Sequence, residues 1–421
     1  MKRNTVLTVL FTGIIMAGFV WLLSQAYLYS TGNLETSYLQ NWKAVEHYDN
    51  VYVNLVEGVK TRTENIANNC MPFYEQVLVG EGNINFAADY KLYSVLFGNM
   101  EQWYVPVGKD DYDYKFVSGD MSTLINAYRV KNYAMQPNMS TTQEFFKALR
   151  ESNKDVNLYV YGCNVYDTSD LPDSSNLGLK GRGDYLKSFG QYLDANDIGY
   201  DYLKYDSMEE YKKYFFKTDH HWTIQGAYEG YKDVINMISA RSPEIGTPRA
   251  GEFFKVEGVK FRGSIARISS FEKLYDELWD IKMDIPDYTL TIGGNPVYDD
   301  YSKKEEYLAG DFELDTFNNS YADYFHTDTG NAEYDFGNNT GRNLLMFVDS
   351  FSNCIDPYIA SHYDKTYLVD LRYDEYANGV FNYNEFIEAH DIDDVVFMMY
   401  SDTLLFDNNQ GNYKTKINIG G

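Results

Sequence analysis

Two short segments of the chain contain a serine, a histidine and an aspartate that together could perform acyl chemistry. The first segment, residues 218–223, reads Thr-Asp-His-His-Trp-Thr, and the second, residues 348–352, reads Val-Asp-Ser-Phe-Ser. Asp219 and His221 are two positions apart, and such residues point to the same side of an extended segment. Asp219 could therefore orient one ring nitrogen of His221 and leave the other to act as a base toward Ser350. The spacing predicts a nucleophilic serine with a base and an orienting carboxylate.

Ser350 has its own local context, which both supports and limits this interpretation. It directly follows an apolar run that predicts a buried strand, and it precedes a predicted helix. Ligands of α/β proteins bind at the carboxyl ends of parallel strands, and the free N–H groups of a following helix can stabilise an oxyanion. A turn or capping serine is the alternative, because a serine hydroxyl is a weak nucleophile without an adjacent base. The assignment of Ser350 therefore depends on Asp219 and His221.

The residues beside these three have competing interpretations. In an extended segment His220 points away from Asp219, so we expect it to have a structural role. Trp222 could line the site or pack in the core, and Asp349 could contribute to the site or hydrogen-bond its own turn. Asp219 could instead lie in a solvated turn or bind a metal. Metal sites usually need more ligands at short spacing. The other histidines are scattered at His47, His326, His362 and His390. We therefore expect no metal and no cofactor.

Alternating strand and helix patterns predict the framework that must position these residues. In the first half, helices are predicted at 141–153, 184–193, 207–215 and 224–238, and strands at 156–162 and 200–205, after a short strand around 103–107. Thr223 is the expected N-cap of the helix at 224–238. In the second half, strands at 344–348, 367–371 and 395–400 alternate with one helix ending at 359 and another at 383–389. Such alternation is typical of an α/β fold with a parallel sheet covered by helices on both faces.

The chain of 421 residues is predicted to contain five parts. These are a signal-anchor or transmembrane helix at 1–29, a stalk and helical segment at 30–83, the first part of the α/β domain at 84–239, a β-rich insertion at 240–340, and the second part of the domain at 341–421. The basic start and the long apolar run predict one membrane span with the remainder outside the cell. If the segment is cleaved as a signal peptide after Ser24-Gln25-Ala26, the protein is secreted instead.

Composition excludes some classes of function and suggests others. The net charge of −26 argues against nucleic acid as a partner, because binding to phosphates needs clustered Lys and Arg. The three cysteines, Cys70, Cys163 and Cys354, include no C-x-x-C pair, which argues against zinc or thioredoxin chemistry. The 41 tyrosines suit stacking on sugar rings, although a composition bias of the source would give the same number.

The motif Asp219-His220-His221-Trp222 resembles the one for which the DHHW protein family is named. That family is similar to the alginate O-acetylation proteins of the SGNH-hydrolase superfamily, which pair an upstream Asp-x-His motif with a downstream serine on a strand. Ordinary SGNH enzymes have the opposite order, so this chain resembles the circularly permuted members. The later Asp370-Leu371-Arg372 is part of the same resemblance.

This resemblance implies an SGNH-hydrolase-like fold and a role in modifying a surface or exported polysaccharide. Ser350 would take an acetyl group and pass it to a sugar hydroxyl, or to water if the protein is an esterase. His221 and Asp219 would complete the catalytic triad, and a membrane-bound O-acyltransferase is the implied partner. The superfamily's oxyanion-hole blocks have no clear counterpart, so the candidates for oxyanion or substrate contacts are Asn353, Arg372, Trp222, Asp349 and Gly183.

Two other functions are compatible with the sequence. A non-catalytic polysaccharide-binding or assembly factor would use the tyrosines and the region at 240–340. A manganese phosphoesterase would use Asp219-His220-His221 as a metal-binding signature, but the chain has no accompanying Asp-x-Asp motif in the expected role.

Overall fold

The largest β-sheet of the described residues has eight strands and is called the central sheet below. The computed structural model describes residues 86–92, 94–95, 104–109, 114–118, 124–126, 139–163, 182–268, 271, 273–297, 302–310, 320–337, 340–373, 376, 379–405 and 413–420. The predicted anchor at 1–29 and stalk at 30–83 lie outside these residues. Within the described part of the chain, no helix combines the length and the apolar character needed to cross a membrane.

Strands and helices largely alternate at 139–239 and 343–400, as the sequence predicts, whereas 104–126 and 276–297 contain consecutive strands. The strands are β1 (Tyr104–Lys109), β2 (Tyr114–Ser118), β3 (Leu124–Asn126), β4 (Asn157–Cys163), β5 (Gly199–Tyr202), β6 (Gly251–Phe261), β7 (Asp276–Met283), β8 (Thr289–Ile292), β9 (Asn295–Val297), β10 (Asn331–Asp335), β11 (Asn343–Val348), β12 (Lys365–Val369), β13 (Phe381–Asn382), β14 (Ile392–Tyr400) and β15 (Ile417–Asn418). The helices from residue 139 onward are α1 (Met139–Ser152), α2 (Arg182–Ala195), α3 (Met208–Tyr214), α4 (Ile224–Ser239), α5 (Ser264–Ile268), α6 (Lys304–Ala309), α7 (Ser320–Phe325), α8 (Asp356–Ala360), α9 (Tyr383–His390), α10 (Ser401–Leu405) and α11 (Tyr413–Lys416), with 3-10 turns at Pro243–Ile245 and Ser352–Cys354.

The central sheet is mixed, with a parallel part and an antiparallel part. Its strand order is β5-β4-β14-β11-β12-β10-β8-β9. The strands from β5 to β12 in this order are parallel, as the sequence predicts. Strands β10, β8 and β9 extend the sheet in antiparallel fashion, which the sequence does not predict. They come from the region at 240–340, and β10 alternates buried with half-buried residues, a pattern that antiparallel strands tolerate.

Two hydrophobic cores lie on opposite faces of this sheet. Successive side chains of a strand point to opposite faces, so Met346 of β11 faces one core and Phe347 faces the other. The first core is covered by α4, and the second by α1, α2 and α9. Burial on both faces explains why β4, β11 and β14 are continuous apolar runs.

The predicted helices α1, α2, α3, α4 and α9 are confirmed, and each end agrees within two residues. The N-cap prediction is also confirmed, because Thr223 Oγ1 accepts the backbone N–H of Gly226 at 3.3 Å. The single helix predicted after Ser350 is wrong. The chain forms the 3-10 turn, leaves helical geometry at Ile355 with φ near −131°, and restarts at α8 with a proline in its first turn.

Candidate active site

A tight bend between α3 and α4 carries Asp219 and His221. Phe215 and Trp222 form an isolated antiparallel bridge at the base of this bend. The backbone N–H of Phe216 donates to the carbonyl of His221 at 3.2 Å, which closes the bend. The two functional candidates therefore lie on a short loop that is held at both ends by regular structure.

Asp219, His221 and Ser350 form a continuous hydrogen-bonded chain. His221 Nδ1 lies 2.6 Å from Asp219 Oδ1, and His221 Nε2 lies 2.8 Å from Ser350 Oγ. A carboxylate can only accept, so Nδ1 carries the proton and Nε2 is the acceptor for the serine hydroxyl. The structure thus brings together the three residues that the sequence selects, at the carboxyl end of β11. This arrangement can deprotonate Ser350.

Asp219 is buried and remains a carboxylate. Its Oδ1 also accepts the backbone N–H of His221 at 3.0 Å, and its Oδ2 accepts the backbone N–H of Ser264 at 2.5 Å. Burial opposes ionisation, but the electrostatic interaction with the adjacent His221 and His220 rings and these hydrogen bonds outweigh it and lower the pKa of Asp219 below its ordinary value. A buried carboxylate that stays charged can orient His221 and stabilise its protonated form.

A second buried carboxylate, Asp276 at the start of β7, holds the loop in place. Its Oδ1 accepts the backbone N–H of Lys217 at 2.8 Å, and its Oδ2 accepts the backbone N–H of Thr218 at 3.0 Å and the Thr218 hydroxyl at 2.6 Å. No local sequence pattern marks Asp276, because this aspartate acts on a segment that is distant in the chain.

The position of His220 differs from the prediction. Its ring centroid lies 3.9 Å from that of His221, and its Nδ1 lies 3.3 Å from Asp219 Oδ1 and 2.7 Å from Ser264 Oγ. The expectation that His220 points away is wrong because residues 217–220 bend instead of extending, so side chains do not alternate there.

The cluster of Asp219, His220 and His221 is also the metal-binding candidate of the described residues, with potential ligand atoms within 4.8 Å of one another. Both Nδ1 atoms face the same carboxylate oxygen, while His221 Nε2 faces Ser350. An ion bound here would have to replace the short hydrogen bond between Asp219 and His221. The geometry therefore favours the hydrogen-bonded arrangement.

Asp349 ties the turn that carries Ser350 to the neighbouring strand. Its Oδ1 accepts the backbone N–H of Phe351 at 3.1 Å, and its Oδ2 accepts the backbone N–H of Tyr400 at 2.8 Å. Burial raises the pKa of Asp349 to about 6, against the opposing charge of Arg372. Both carboxyl oxygens are thus used by the backbone, which matches the interpretation that Asp349 hydrogen-bonds its turn.

Trp222 packs in the core and does not line the site. It is fully buried, and its Nε1–H donates to the backbone carbonyl of Phe351 at 2.7 Å. This hydrogen bond therefore fixes the backbone of the Ser350 turn from the side of the core. A substrate bound at the surface cannot reach this ring.

Asn353 and Arg372 both donate to Asp328, a residue that no local sequence pattern marks. Asn353 Nδ2 donates to Asp328 Oδ1 at 3.0 Å and to the carbonyl of His326 at 3.2 Å. Arg372 donates to Asp328 Oδ2 at 3.1 Å and pairs with both oxygens of Asp370. Both amide hydrogens of Asn353 are engaged, so this side chain is not an available oxyanion donor.

The backbone N–H of Ser350 is the better oxyanion candidate. Among the hydrogen bonds of the described residues, none is donated by this group, and it belongs to the residue that would carry the acyl group. Gly183 lies in α2.

We expect Asp356, at the start of α8, to make folding stability depend on pH. Burial raises its pKa from 3.8 to about 7, so the folded state keeps the proton that the unfolded chain loses. This stabilisation is fully present below pH 3.8 and is lost as the pH rises through about 7. We expect the free energy of unfolding to fall across this range by up to about 4 kcal/mol, since one pKa unit corresponds to about 1.4 kcal/mol.

Asp356→Asn, which cannot ionise, should remove this part of the slope. Urea unfolding of the full chain between acidic and mildly alkaline pH measures it. Parallel pH profiles for the wild type and Asp356→Asn would contradict the prediction.

Comparison with known proteins supports the fold. No protein-family model matches the chain, and no curated protein matches it by sequence. In structure it is similar to a DHHW family protein from Eubacterium siraeum, with 18% identity, a TM-score of 0.53, and coverage of 75% of this chain and 98% of that chain. Bacillus cereus PatB1 with a sulfonyl adduct matches with 18% identity, a TM-score of 0.51, and coverage of 73% and 100%. The O-acetyltransferase domain of Pseudomonas putida AlgJ is a weaker match, with 13% identity, a TM-score of 0.36, and coverage of 72% and 93%. The predicted resemblance to the DHHW family is confirmed at the level of the fold by the first match.

Proposed function

We propose that this protein is a serine O-acetyltransferase or O-acetylesterase that acts on a surface or exported polysaccharide. Ser350 is the nucleophile, His221 is the general base and then the general acid, and Asp219 orients His221. The observation that carries the proposal is the hydrogen-bonded chain of 2.6 Å and 2.8 Å that joins these three side chains.

The reaction proceeds through an acyl-serine intermediate. His221 Nε2 takes the proton from Ser350 Oγ while this oxygen attacks the acetyl carbonyl of the donor. The ester bond of the donor then breaks, and His221 returns the proton to the departing alkoxide. An acceptor hydroxyl next gives its proton to His221 and attacks the acetyl-serine, and His221 passes this proton to the Ser350 oxygen as its bond to the acetyl group breaks. A sugar hydroxyl as acceptor makes the protein a transferase, and water makes it an esterase.

The polysaccharide, the location and the partner form the finer part of this proposal. The polymer is supported by the resemblance of the Asp219-to-Trp222 motif to the DHHW family and its alginate O-acetylation relatives. We propose that residues 1–29 anchor the chain in the membrane with the site outside. A membrane-bound O-acyltransferase that passes acetyl groups outward would be the donor.

A sulfonyl fluoride tests the nucleophile. The PatB1 structure carries a sulfonyl adduct, and phenylmethylsulfonyl fluoride transfers a sulfonyl group to activated serine hydroxyls with loss of fluoride. After incubation with the full chain, peptide mass spectrometry should find the adduct on Ser350, and Ser350→Ala should stay unmodified. An unmodified wild type, or an adduct only elsewhere, would count against the proposal.

An acceptor assay separates transferase from esterase. The full chain is given an activated acetyl ester, with and without an O-deacetylated oligosaccharide. A transferase forms acetylated sugar at the expense of free acetate, whereas an esterase releases acetate in both cases.

Manganese phosphoesterase chemistry predicts instead that a chelator abolishes activity, which we do not expect here.

The close contact between Gly263 and Asp219 gives a further prediction. A Cβ atom at position 263 would collide with the Asp219 side chain, while the Gly263 backbone N–H is held by Thr218 Oγ1 at 3.1 Å. Because Asp219 must then move away from His221, we expect Gly263→Ala to lower kcat about 100-fold with p-nitrophenyl acetate.

Gly190→Ala is the matched control for crowding. Its new methyl group would meet the ring of Tyr200, which is partly buried and packs against the second core. It should lower stability but leave kcat per folded molecule nearly unchanged. A folded Gly263→Ala protein with the kcat of the wild type would show that Asp219 tolerates the displacement.

A further inference from the structure

Tyr321 of α7 contacts both His221 and Ser350. Its ring stacks on the imidazole of His221, with a centroid distance of 3.7 Å and an angle of 3° between the planes. Its hydroxyl donates to the backbone carbonyl of Ser350 at 3.0 Å. Tyr321 is 1% exposed, so it does not touch a substrate. One buried side chain therefore spans the candidate base and the candidate nucleophile.

The stacking contact restricts how the imidazole can move. Both hydrogen bonds of His221 lie in the plane of its ring, so a rotation of the ring breaks the bonds to Asp219 and Ser350 together. A flat phenol ring in near-parallel contact blocks this rotation on one face. The electron-rich face of the phenol also favours the positive charge that His221 gains when it takes the serine proton.

The hydroxyl of Tyr321 fixes the nucleophile from the other side. Burial raises the pKa of Tyr321 well above its ordinary value, so the hydroxyl keeps its proton and donates it to the Ser350 carbonyl. The carbonyl belongs to the residue that carries Oγ. The bond therefore ties the Ser350 backbone to the same side chain whose ring stacks on His221.

We propose that Tyr321 is a positioning residue that holds His221 and Ser350 at reacting distance through its stacked ring and its hydroxyl. This inference rests on the proposed function. Tyr321 makes two contributions in this account. Its ring aligns His221, and its hydroxyl aligns Ser350.

Two substitutions separate these contributions. Tyr321→Phe keeps the ring and loses the hydrogen bond, and we expect kcat for p-nitrophenyl acetate to fall about threefold to tenfold. Tyr321→Leu also loses the stack, and we expect a fall of about 100-fold, as for other small misplacements of reacting groups. KM should stay within about twofold in both variants, because Tyr321 does not touch the substrate.

Tyr324 provides matched controls in the same helix. It is fully buried, and its hydroxyl donates to Asp280 Oδ2 at 2.8 Å, not to the Ser350 turn. Tyr324→Phe and Tyr324→Leu should match the Tyr321 variants in lost stability, yet keep the wild-type kcat per folded molecule. Thermal unfolding of the full chain gives the folded fraction for each protein.

Equal kcat values for Tyr321→Leu and Tyr324→Leu, or an effect on KM alone, would overturn the inference. If Tyr321→Leu does not fold, the comparison of Tyr321→Phe with Tyr324→Phe decides it. If Ser350→Ala is inactive while the Tyr321 variants keep full kcat, only the positioning role fails. If Ser350→Ala is fully active, the proposed function itself fails.

Discussion

Replacement of Ser350 by alanine is expected to lower the turnover of p-nitrophenyl acetate by about 10,000-fold or more, because the acyl-serine route depends on this one oxygen. The turn should keep its shape, since Asp349 and Trp222 hold its backbone from two sides. Any remaining rate reflects binding and the backbone N–H groups. The measurement is steady-state kinetics on the purified full chain, with folding checked by circular dichroism.

Ser352→Ala is the matched control for this substitution. Ser352 lies in the same turn and is buried, and its hydroxyl donates to the carbonyl of Asp349 at 3.1 Å and not to His221. We expect its kcat to stay within about tenfold of the wild type, because a turn hydrogen bond is worth about 1 kcal/mol. Equal rates for Ser350→Ala and the wild type would remove Ser350 from the chemistry.

Asp219→Asn is the second substitution with a large expected effect. The amide has almost the same shape, but it can donate to His221 Nδ1, which would move the ring proton to the nitrogen facing Ser350. The imidazole could then no longer accept the serine proton. We expect kcat to fall about 10,000-fold, as in other enzymes whose orienting aspartate is replaced by asparagine.

Asp280→Asn controls for the loss of a buried aspartate. Asp280 is almost fully buried, and its side chain pairs with Lys304 and accepts the Tyr324 hydroxyl. This variant should lose stability and keep kcat per folded molecule. If Asp219→Asn and Asp280→Asn lower kcat equally, Asp219 has no special role in orienting His221.

The sequence predicts the three candidate reacting residues better than it predicts the residues that hold them in place. Asp219 and His221 are neighbours in the chain, and Ser350 ends an apolar strand, so short-range patterns are enough to select them. The parallel part of the sheet is predicted for a similar reason, because continuous apolar runs and helical spacing are local signals.

The supporting residues escape sequence reasoning because they act over long chain distances. Asp276, Tyr321 and Asp328 all come from the region at 240–340, where the pattern is irregular, and each reaches a segment that only the fold brings near. His220 is misplaced because an ideal extended strand is assumed where the backbone bends. Asn353 is a plausible oxyanion donor by type, and only the structure shows that its amide is already engaged.

The tyrosines of this region have a different use from the one considered for a polysaccharide-binding factor. Tyr307, Tyr321, Tyr324 and Tyr334 are buried, whereas Tyr275 and Tyr288 are exposed. Most of these rings therefore pack in the core or support the site. Among the described tyrosines of this region, burial is therefore more frequent than exposure.

Detection of an acetyl group on Ser350 tests the proposed function most directly. The full chain is mixed with p-nitrophenyl acetate, quenched with acid during turnover, digested and examined by mass spectrometry. We expect an acetyl group on the peptide that contains Ser350, and we expect none in Ser350→Ala. Turnover without an acetyl group on Ser350, at a rate that Ser350→Ala retains, would contradict the proposed function.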